Sequence, residues 1–257
     1  MSTTRPLPRF VRYRPPQPRS GPAPRGAVLL WPDTFTRSFD PQVAYAAARV
    51  LTAAGFAVRL PRGTLCCGLT WLVTGQFSTA RVVLRRTLRL LRSEIRAGVP
   101  VVGLEPSCVA TLRCDLTELL PDDPAAAVLA RQARTLAEVL HERAPDWRPP
   151  ERDRDAVQQV HCHQHAALGH DADDALLRAA GVRVQRVSGC CGLAGSFGYQ
   201  RGHEEMSSAL AERSLAPAVR ARPDALVLAD GFSCRLQTSQ TTGRRALHLA
   251  ELLDGSC

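Results

Sequence analysis

Short apolar runs alternate with longer amphipathic stretches along most of the chain. The run "AVLLW" (27–31) is typical of a buried strand, and "PQVAYAAARVLTAAG" (41–55) opens with Pro, has helical spacing and closes on Gly. The same reasoning predicts a strand at 56–60, a helix at 77–97, a strand at 99–105 and a helical region at 124–144. Alternation of strand and helix at short spacing is typical of a parallel sheet covered by helices.

The order of elements repeats after a stretch rich in Pro and charge, "PDWRPPERDRD" (145–155), whose composition predicts a linker. The second set comprises strands at 157–161, 182–187 and 225–230 and helices at 172–181 and 203–221. The halves also align in sequence, since Cys190 follows Cys66 by 124 residues and Cys234 follows Cys108 by 126. We therefore expect an α/β fold of two tandem, pseudo-symmetric βαβ lobes with short parallel sheets covered by helices.

Four segments follow from this pattern. Residues 1–26 hold seven Pro and six Arg without helical or strand periodicity, which predicts a disordered tail or linker remnant. The first lobe is expected at 27–144, the linker at 145–155 and the second lobe at 156–257.

Charge and hydropathy narrow the class of protein. The formal net charge is +9 and every basic residue is Arg, but the first 25 residues carry six of them, leaving 27 basic against 24 acidic residues. A charge concentrated in a tail, with only 5% aromatic residues, disfavours nucleic-acid binding. No run of about 18 apolar residues and no apolar signal-peptide region occurs, so we expect a cytoplasmic protein without a transmembrane segment, or one held at the inner face of the membrane through partners.

The nine cysteines carry the chemistry. In a chain without a secretory signal they favour metal binding, redox chemistry or buried thiols over a disulfide framework. In the second half, Cys162, Cys190, Cys191 and Cys234 each follow a predicted strand. Carboxyl ends of parallel strands share one edge of a sheet, so the four thiolates are expected to meet there. Four thiolates suit Zn²⁺ or an iron–sulfur cluster, with inert buried thiols and a vicinal disulfide as alternatives.

Glycines next to the paired cysteines support a turn at that edge. Gly189 and Gly192 permit the sharp backbone turn that two adjacent ligands would require. Gly192 also begins the small loop "GLAGSFG", whose backbone N–H groups are expected to approach a bound cluster.

The motifs "LEPSC", "HCHQHA", "SGCCGLAGSFG" and "ADGFSCR" resemble the paired cysteine-rich CCG domains of known oxidoreductases. Such pairs occur in heterodisulfide reductase subunits, the glycolate oxidase iron–sulfur subunit and FAD-linked D-lactate and D-2-hydroxyglutarate dehydrogenases, and the last group is the most similar. In that group a flavin domain and a ferredoxin-like segment precede the cysteine-rich pair. The resemblance implies an electron-transfer module whose flavin lies on a partner domain or chain.

The chain departs from the fullest family motif, which begins with a cysteine and ends in CxxC. In the second lobe Gln237 takes the last position, which leaves four thiolates, enough for a [4Fe–4S] cluster. In the first lobe Asp33 and Thr111 take the first and last positions. Either a second cluster or a vestigial site is expected there, built from three thiols with a carboxylate or a further thiol as the fourth candidate: Cys66, Cys67, Cys108, and Asp33 or Cys114.

Other residues near the cysteines have candidate supporting roles. His161 and His163 flank Cys162 and are expected to orient or tune the centre or to close the strand end, with His163 the better candidate. Glu105 is expected to orient the loop before Cys108. Two arginines are candidates to offset cluster charge or to be solvated, and two cysteines fall outside the repeat: Arg113, Arg235, Cys114 and Cys257.

The leading hypothesis is an iron–sulfur module that passes electrons from a flavin-linked 2-hydroxy-acid dehydrogenase to an acceptor such as a quinone, a cytochrome or another carrier. Such a module is a component of an FAD-linked oxidoreductase and is not catalytically complete alone. Two alternatives are a non-redox, zinc-stabilised module that binds a partner and a thiol redox enzyme using Cys190 or Cys191.

Overall fold

The computed structural model describes residues 5–17 and 23–255. Within them the chain divides into two compact units, one formed by 11–147 and the other by 148–255 together with 5–10. The predicted tail at 1–26 lies partly outside the described residues, and its described part contains no helix or strand. Cys257 also lies outside the described residues.

The first unit is built on a four-stranded parallel sheet in the order β2-β1-β3-β4. Its strands are β1 (Ala27–Trp31), β2 (Ala57–Arg59), β3 (Val101–Gly103) and β4 (Ala133–Thr135). The central strand β1 is an unbroken apolar run because both faces are covered, and its residues from Val28 to Leu30 are fully buried. Its helices are α1 (Thr34–Phe39), α2 (Pro41–Ala53), α3 (Leu69–Val73), α4 (Phe77–Leu90), α5 (Arg92–Arg96), α6 (Pro106–Ala110), α7 (Leu116–Leu119), α8 (Pro124–Gln132) and α9 (Leu136–Arg143).

Two predicted helices of the first unit are divided. The region 124–144 contains strand β4 between α8 and α9, because Thr135 and Glu138 form a capping box that starts a new helix. That box is visible in the sequence as Thr-x-x-Glu, and it marks a helix start inside the predicted helical region. The helix expected at 77–97 is interrupted at Leu91, a buried residue that separates α4 from α5.

The second unit is built on a three-stranded parallel sheet in the order β6-β5-β7. Its strands are β5 (Arg154–Gln159), β6 (Val182–Val187) and β7 (Leu226–Leu228). Its helices are α10 (Asp171–Ala179), α11 (Glu204–Glu212), α12 (Leu215–Arg220), α13 (Phe232–Thr242) and α14 (Leu249–Asp254). Strand β5 begins inside the stretch 145–155 that composition marked as a linker.

The predicted helix at 203–221 is also divided, into α11 and α12. Pro217 lacks an N–H group and its ring would clash with the carbonyl of Arg213 in a continuous helix, so the break falls at Arg213 and Ser214.

The predicted fold class is confirmed: the protein is α/β, with short parallel sheets covered by helices. The order β6-β5-β7 in the second unit matches the order β2-β1-β3 in the first, as the sequence repeat predicts. Within the described residues no helix combines the length and apolarity needed to cross a bilayer.

Candidate metal centre

Three cysteines of the second unit meet at the carboxyl edge of its sheet. Cys190 and Cys191 follow β6, and Cys234 lies in the first turn of α13, directly after β7. The thiol of Cys191 is hydrogen-bonded to those of both Cys190 and Cys234. Cys191 and Cys234 are buried, whereas Cys190 is partly exposed.

The first unit repeats this arrangement with Cys66, Cys67 and Cys108. The sulfurs of Cys67 and Cys108 lie 3.0 Å apart, and Cys66 is hydrogen-bonded to Cys67. In both units the N–H two residues after the first cysteine donates to its sulfur, Gly68 to Cys66 at 3.4 Å and Gly192 to Cys190 at 3.3 Å. The sequence repeat is therefore also a repeat of side-chain geometry.

The thiols of both units are held in their protonated form. Hydrogen bonding to Cys67 and burial raise the pKa of Cys66, and the pKa of Cys190 is raised in the same way through Cys191. The bond with Cys190 lowers the pKa of Cys191, but the bond with Cys234 and burial raise it to about 12. A metal that binds here must displace these protons, so its affinity rises with pH.

The fourth predicted ligand of the second unit, Cys162, is exposed and follows β5. It lies between His161 and His163, and the ligand atoms of these three residues are all within 4.8 Å of one another. Among the described residues this is the one group of three or more potential ligands packed so closely, and it does not include Cys190, Cys191 or Cys234. The convergence of Cys162 on the other three thiols stays a prediction.

His161 is a buried, neutral imidazole. Burial lowers its pKa to about 4, although the charge of Asp230 opposes that shift. Its Nδ1 accepts the N–H of His163 at 3.2 Å, and the two rings stack with centroids 5.3 Å apart. Its ring lies against Gly231, where an added Cβ would be 2.2 Å from His161 Cδ2. His161 therefore fixes the turn that carries Cys162 against the start of α13.

The first unit has carboxylates at the equivalent positions. With the cysteines aligned, Asp33 stands at the position of Cys162 and Glu105 at that of Gly231. Asp33 is buried and caps α1, accepting the N–H groups of Phe35 and Thr36 at 2.8 and 3.1 Å and the Thr36 hydroxyl at 2.5 Å. Burial and the neighbouring Glu105 raise the pKa of Asp33. The two lobes therefore share three thiols but differ in the remaining donors, which are harder oxygens in the first lobe.

Asp33 and Glu105 also act on the thiols. The bond with Cys67 lowers the pKa of Cys108, but burial and the charges of Asp33 and Glu105 raise it to about 11. Glu105 accepts the Ser107 hydroxyl at 3.0 Å, at the turn that leads into the helix of Cys108. This contact suits the loop-orienting role expected for Glu105.

The last motif position of each lobe is a buried, hydrogen-bonded polar side chain. Thr111 donates to the Ser107 carbonyl at 2.9 Å. The amide of Gln237 donates to the Ser207 carbonyl at 2.9 Å and accepts from the Arg5 guanidinium at 2.5 Å. Neither lobe has a fifth thiol at this position.

Gly192 allows the thiol loop of the second unit to pack on α11. Its φ is +89°, and a Cβ there would lie 2.2 Å from the Ser207 carbonyl oxygen and 2.9 Å from Leu210 Cβ. Gly192 is therefore required both by its backbone conformation and by the close approach of the helix.

Several residues that sequence reasoning missed support the thiol loops. Thr87 donates to the Cys66 carbonyl at 2.9 Å, and Gln159 donates to the Gly189 carbonyl at 2.9 Å. The available signal was a polar residue on an otherwise apolar helix face or strand.

The two arginines near the last cysteines are tied to protein groups instead of solvent. Arg113 pairs with Glu138, and Arg235 donates to the carbonyls of Ala229 and Asp230 at 3.1 and 2.6 Å. Cys114 is exposed on a π-helical turn, Thr111–Asp115.

Comparison with known proteins gives a family match in both lobes. A family model described as a cysteine-rich domain, CCG, matches residues 33–113 and 161–238. The D-2-hydroxyglutarate dehydrogenase of Escherichia coli K12 is 28% identical over 239 residues, and that of Pseudomonas putida is 28% identical over 230. Each match covers 88% of this chain and 22% of the relative.

A second kind of relative is a component of the anaerobic glycerol-3-phosphate dehydrogenase of Escherichia coli K12, one of the subunits of that enzyme, which is 26% identical over 232 residues. That match covers 88% of this chain and 58% of the relative. The chain thus spans about a fifth to somewhat over half of the length of these relatives.

Proposed function

Because the chain belongs to the cysteine-rich CCG domain family and carries the domain twice, we propose that it is an iron–sulfur electron-transfer module. The second lobe would hold a [4Fe–4S] cluster on Cys162, Cys190, Cys191 and Cys234. The observation that carries the proposal is the thiol cluster of Cys190, Cys191 and Cys234, brought together from two strand ends of one sheet.

The donor set of the second lobe fits such a group. Thiolates are the ligands that iron–sulfur clusters take, and Cys162 follows the strand next to both strands that carry the other three. The N–H of Gly192 already donates to a cysteine sulfur, the kind of bond that raises a cluster's reduction potential. When bound, the cluster would supply one-electron transfer.

The chain's own residues would bind and shield the centre. Cys191 and Cys234 are buried and would anchor its inner side, while exposed Cys162 would lie on the solvent side. His161, held against Gly231, would fix the Cys162 turn, and His163 would lie beside that turn as a polar neighbour. Neutral His161 adds no positive charge to an anionic centre.

The first lobe does not fit a second four-thiolate cluster equally well. It offers Cys66, Cys67 and Cys108, but Asp33 already accepts three hydrogen bonds as a helix cap. We propose that this lobe is either vestigial or holds metal with a carboxylate in the ligand set.

The proposed partner is a flavoprotein dehydrogenase domain or subunit, since two kinds of relative are named dehydrogenases or subunits of one. FAD would lie on that partner, and the acceptor would be a quinone, a cytochrome or another carrier. The proposed role is to connect the two-electron chemistry of a flavin with a one-electron acceptor.

Iron and acid-labile sulfide counts after anaerobic reconstitution test the proposal. We expect about four of each per chain and broad visible absorption, as a [4Fe–4S] cluster requires. Cys190→Ser should lose the absorption, whereas Cys114→Ser, the matched control at an exposed cysteine outside the repeat, should keep it. Iron-free, colourless protein after careful reconstitution would overturn the proposal.

A zinc-stabilised partner-binding module is the second candidate. The close group of His161, Cys162 and His163 favours it, because Zn²⁺ takes mixed imidazole and thiolate ligands. Stoichiometric zinc without labile sulfide would establish this alternative. The raised pKa values of Cys190 and Cys191 disfavour the third hypothesis, a thiol redox enzyme, because the thiolate is the nucleophile.

A further inference from the structure

Helices α4 and α5 of the first unit present a row of exposed arginines. Residues 77–96 contain six Arg and one acidic residue, Glu94, which accepts a hydrogen bond from Ser93. Five of the arginines are exposed and form what we call the arginine face: Arg85, Arg86, Arg89, Arg92 and Arg96. At 100° per residue these five positions span about 120° of the helical wheel, so they lie on one side.

The arginine face carries charge that the protein does not neutralise. Among the described residues, none of its five guanidinium groups forms an ion pair with a carboxylate. Acidic residues approach at one edge only, where Arg81 and Arg85 line a cavity of about 500 Å³ with Glu118, Asp122 and Asp123. Elsewhere in the protein, arginines such as Arg113 and Arg220 are paired with glutamates.

The opposite side of α4 is fully used inside the protein. Ala80, Leu84 and Leu88 are buried in the core of the first unit. Thr87, on the same side, donates to the Cys66 carbonyl, and Leu84 Cγ would lie 3.4 Å from a Cβ on Gly68. The arginine face therefore lies about one helix diameter, about 10 Å, from the loop that carries Cys66 and Cys67.

We propose that the arginine face is the docking surface for an acidic patch on a protein partner. Guanidinium groups pair bidentately with carboxylates, and a partner patch of Asp and Glu would supply the charges that this surface lacks. Val82, 61% exposed, lies among the arginines and would give the contact a small apolar centre with a charged rim.

The burial pattern favours a protein over a lipid surface. A helix that lies on a membrane inserts an apolar face, but the apolar face of α4 is occupied by the core. Val82 is the one exposed apolar residue between Arg81 and Arg89 and offers little area for insertion. A nucleic acid would also find few of the aromatic side chains on which bases stack, since Phe77 is the one aromatic residue of α4 and α5.

Binding of a fluorescently labelled 20-residue poly-L-glutamate peptide, followed by anisotropy at low ionic strength, tests the proposal on the full chain. Wild-type protein should bind, and the affinity should fall steeply with added salt. The double variant Arg86→Glu/Arg89→Glu should weaken binding by about tenfold or more. The control, Arg213→Glu/Arg222→Glu, makes the same charge change at exposed arginines of the second unit and should bind nearly as wild type.

Vesicles of mixed phosphatidylserine and phosphatidylcholine and a 20-base-pair DNA duplex serve as competing probes. Tighter binding of either probe than of the peptide through the same two arginines would overturn the proposal. So would a wild-type protein that does not bind the peptide, or equal losses in the two double variants.

The role of the acidic partner as the electron donor or acceptor rests on the proposed function, but the binding test does not. Metal-free protein should bind the peptide as reconstituted protein does. A protein without iron that still binds through the arginine face would refute the cluster and leave the docking surface standing.

Discussion

Replacement of Gly192 by Ala should damage the second lobe more than the same change at a neighbouring glycine. Two costs combine at Gly192. An alanine at φ +89° is in the left-handed region, which costs roughly 1–2 kcal/mol for a residue with a Cβ. The new Cβ would also lie 2.2 Å from the Ser207 carbonyl and 2.9 Å from Leu210 Cβ, and overpacking of this kind costs about 1–3 kcal/mol.

Gly195 separates these two costs. It lies in the same loop with φ +66°, but a Cβ there meets no atom within 4 Å. Gly195→Ala should therefore show the backbone cost alone. We expect Gly192→Ala to destabilise the protein by about 1–3 kcal/mol more than Gly195→Ala, since only the former must displace α11.

Denaturant unfolding of metal-free protein, followed by circular dichroism, measures the difference, and thermal unfolding should place the Gly192→Ala midpoint several degrees below that of Gly195→Ala, at about 4 °C per kcal/mol. After reconstitution, Gly192→Ala should also retain less iron, because the Cys190–Cys191 turn moves with the loop. Equal stabilities of the two variants would refute the reasoning, since the packing of the loop on α11 would then cost nothing to disturb.

Three further predictions concern metal-free protein. The folded pKa of His161, about 4, lies below its unfolded value, so stability should fall as the pH drops from about 6.5, by about 2 kcal/mol at pH 5, and His161→Gln should remove this dependence. Burial and Glu105 raise the pKa of Asp33, so its charge destabilises the fold above that pKa; Asp33→Asn, which can keep the cap, should stabilise the protein at pH 7, and the gain should vanish near pH 4. Arg113→Met should cost about 2–3 kcal/mol in urea unfolding, because it leaves the largely buried Glu138 carboxylate without its charged partner; a loss below about 0.5 kcal/mol would contradict this.

The sequence predicted the elements that have strong local patterns. Strands β1 and β6 begin and end at the expected residues, because a buried apolar run and a Gly-bounded alternating segment are local signals. The divided helices were missed where a local signal was present but outweighed by helical periodicity, as with the Thr135 capping box and Pro217. Strand β4 has only three residues, too few to show a period.

The candidate site was predictable in part for the same reason. Cysteines that follow strands must lie at one edge of a parallel sheet, and the sequence repeat indicated that the arrangement would occur twice. The sequence by itself therefore determined the α/β class, the tandem repeat and the thiols that face one another in each lobe.

Only the tertiary structure decided what surrounds those thiols. It placed Cys162 between two histidines, locked His161 against Gly231, and set the Asp33 and Glu105 carboxylates near Cys108 in the first lobe. These contacts join residues from different strand ends, and their distances depend on how the loops pack on the sheet and helices. A periodic pattern specifies which face a residue occupies, but it does not specify which side chain from another loop lies against it.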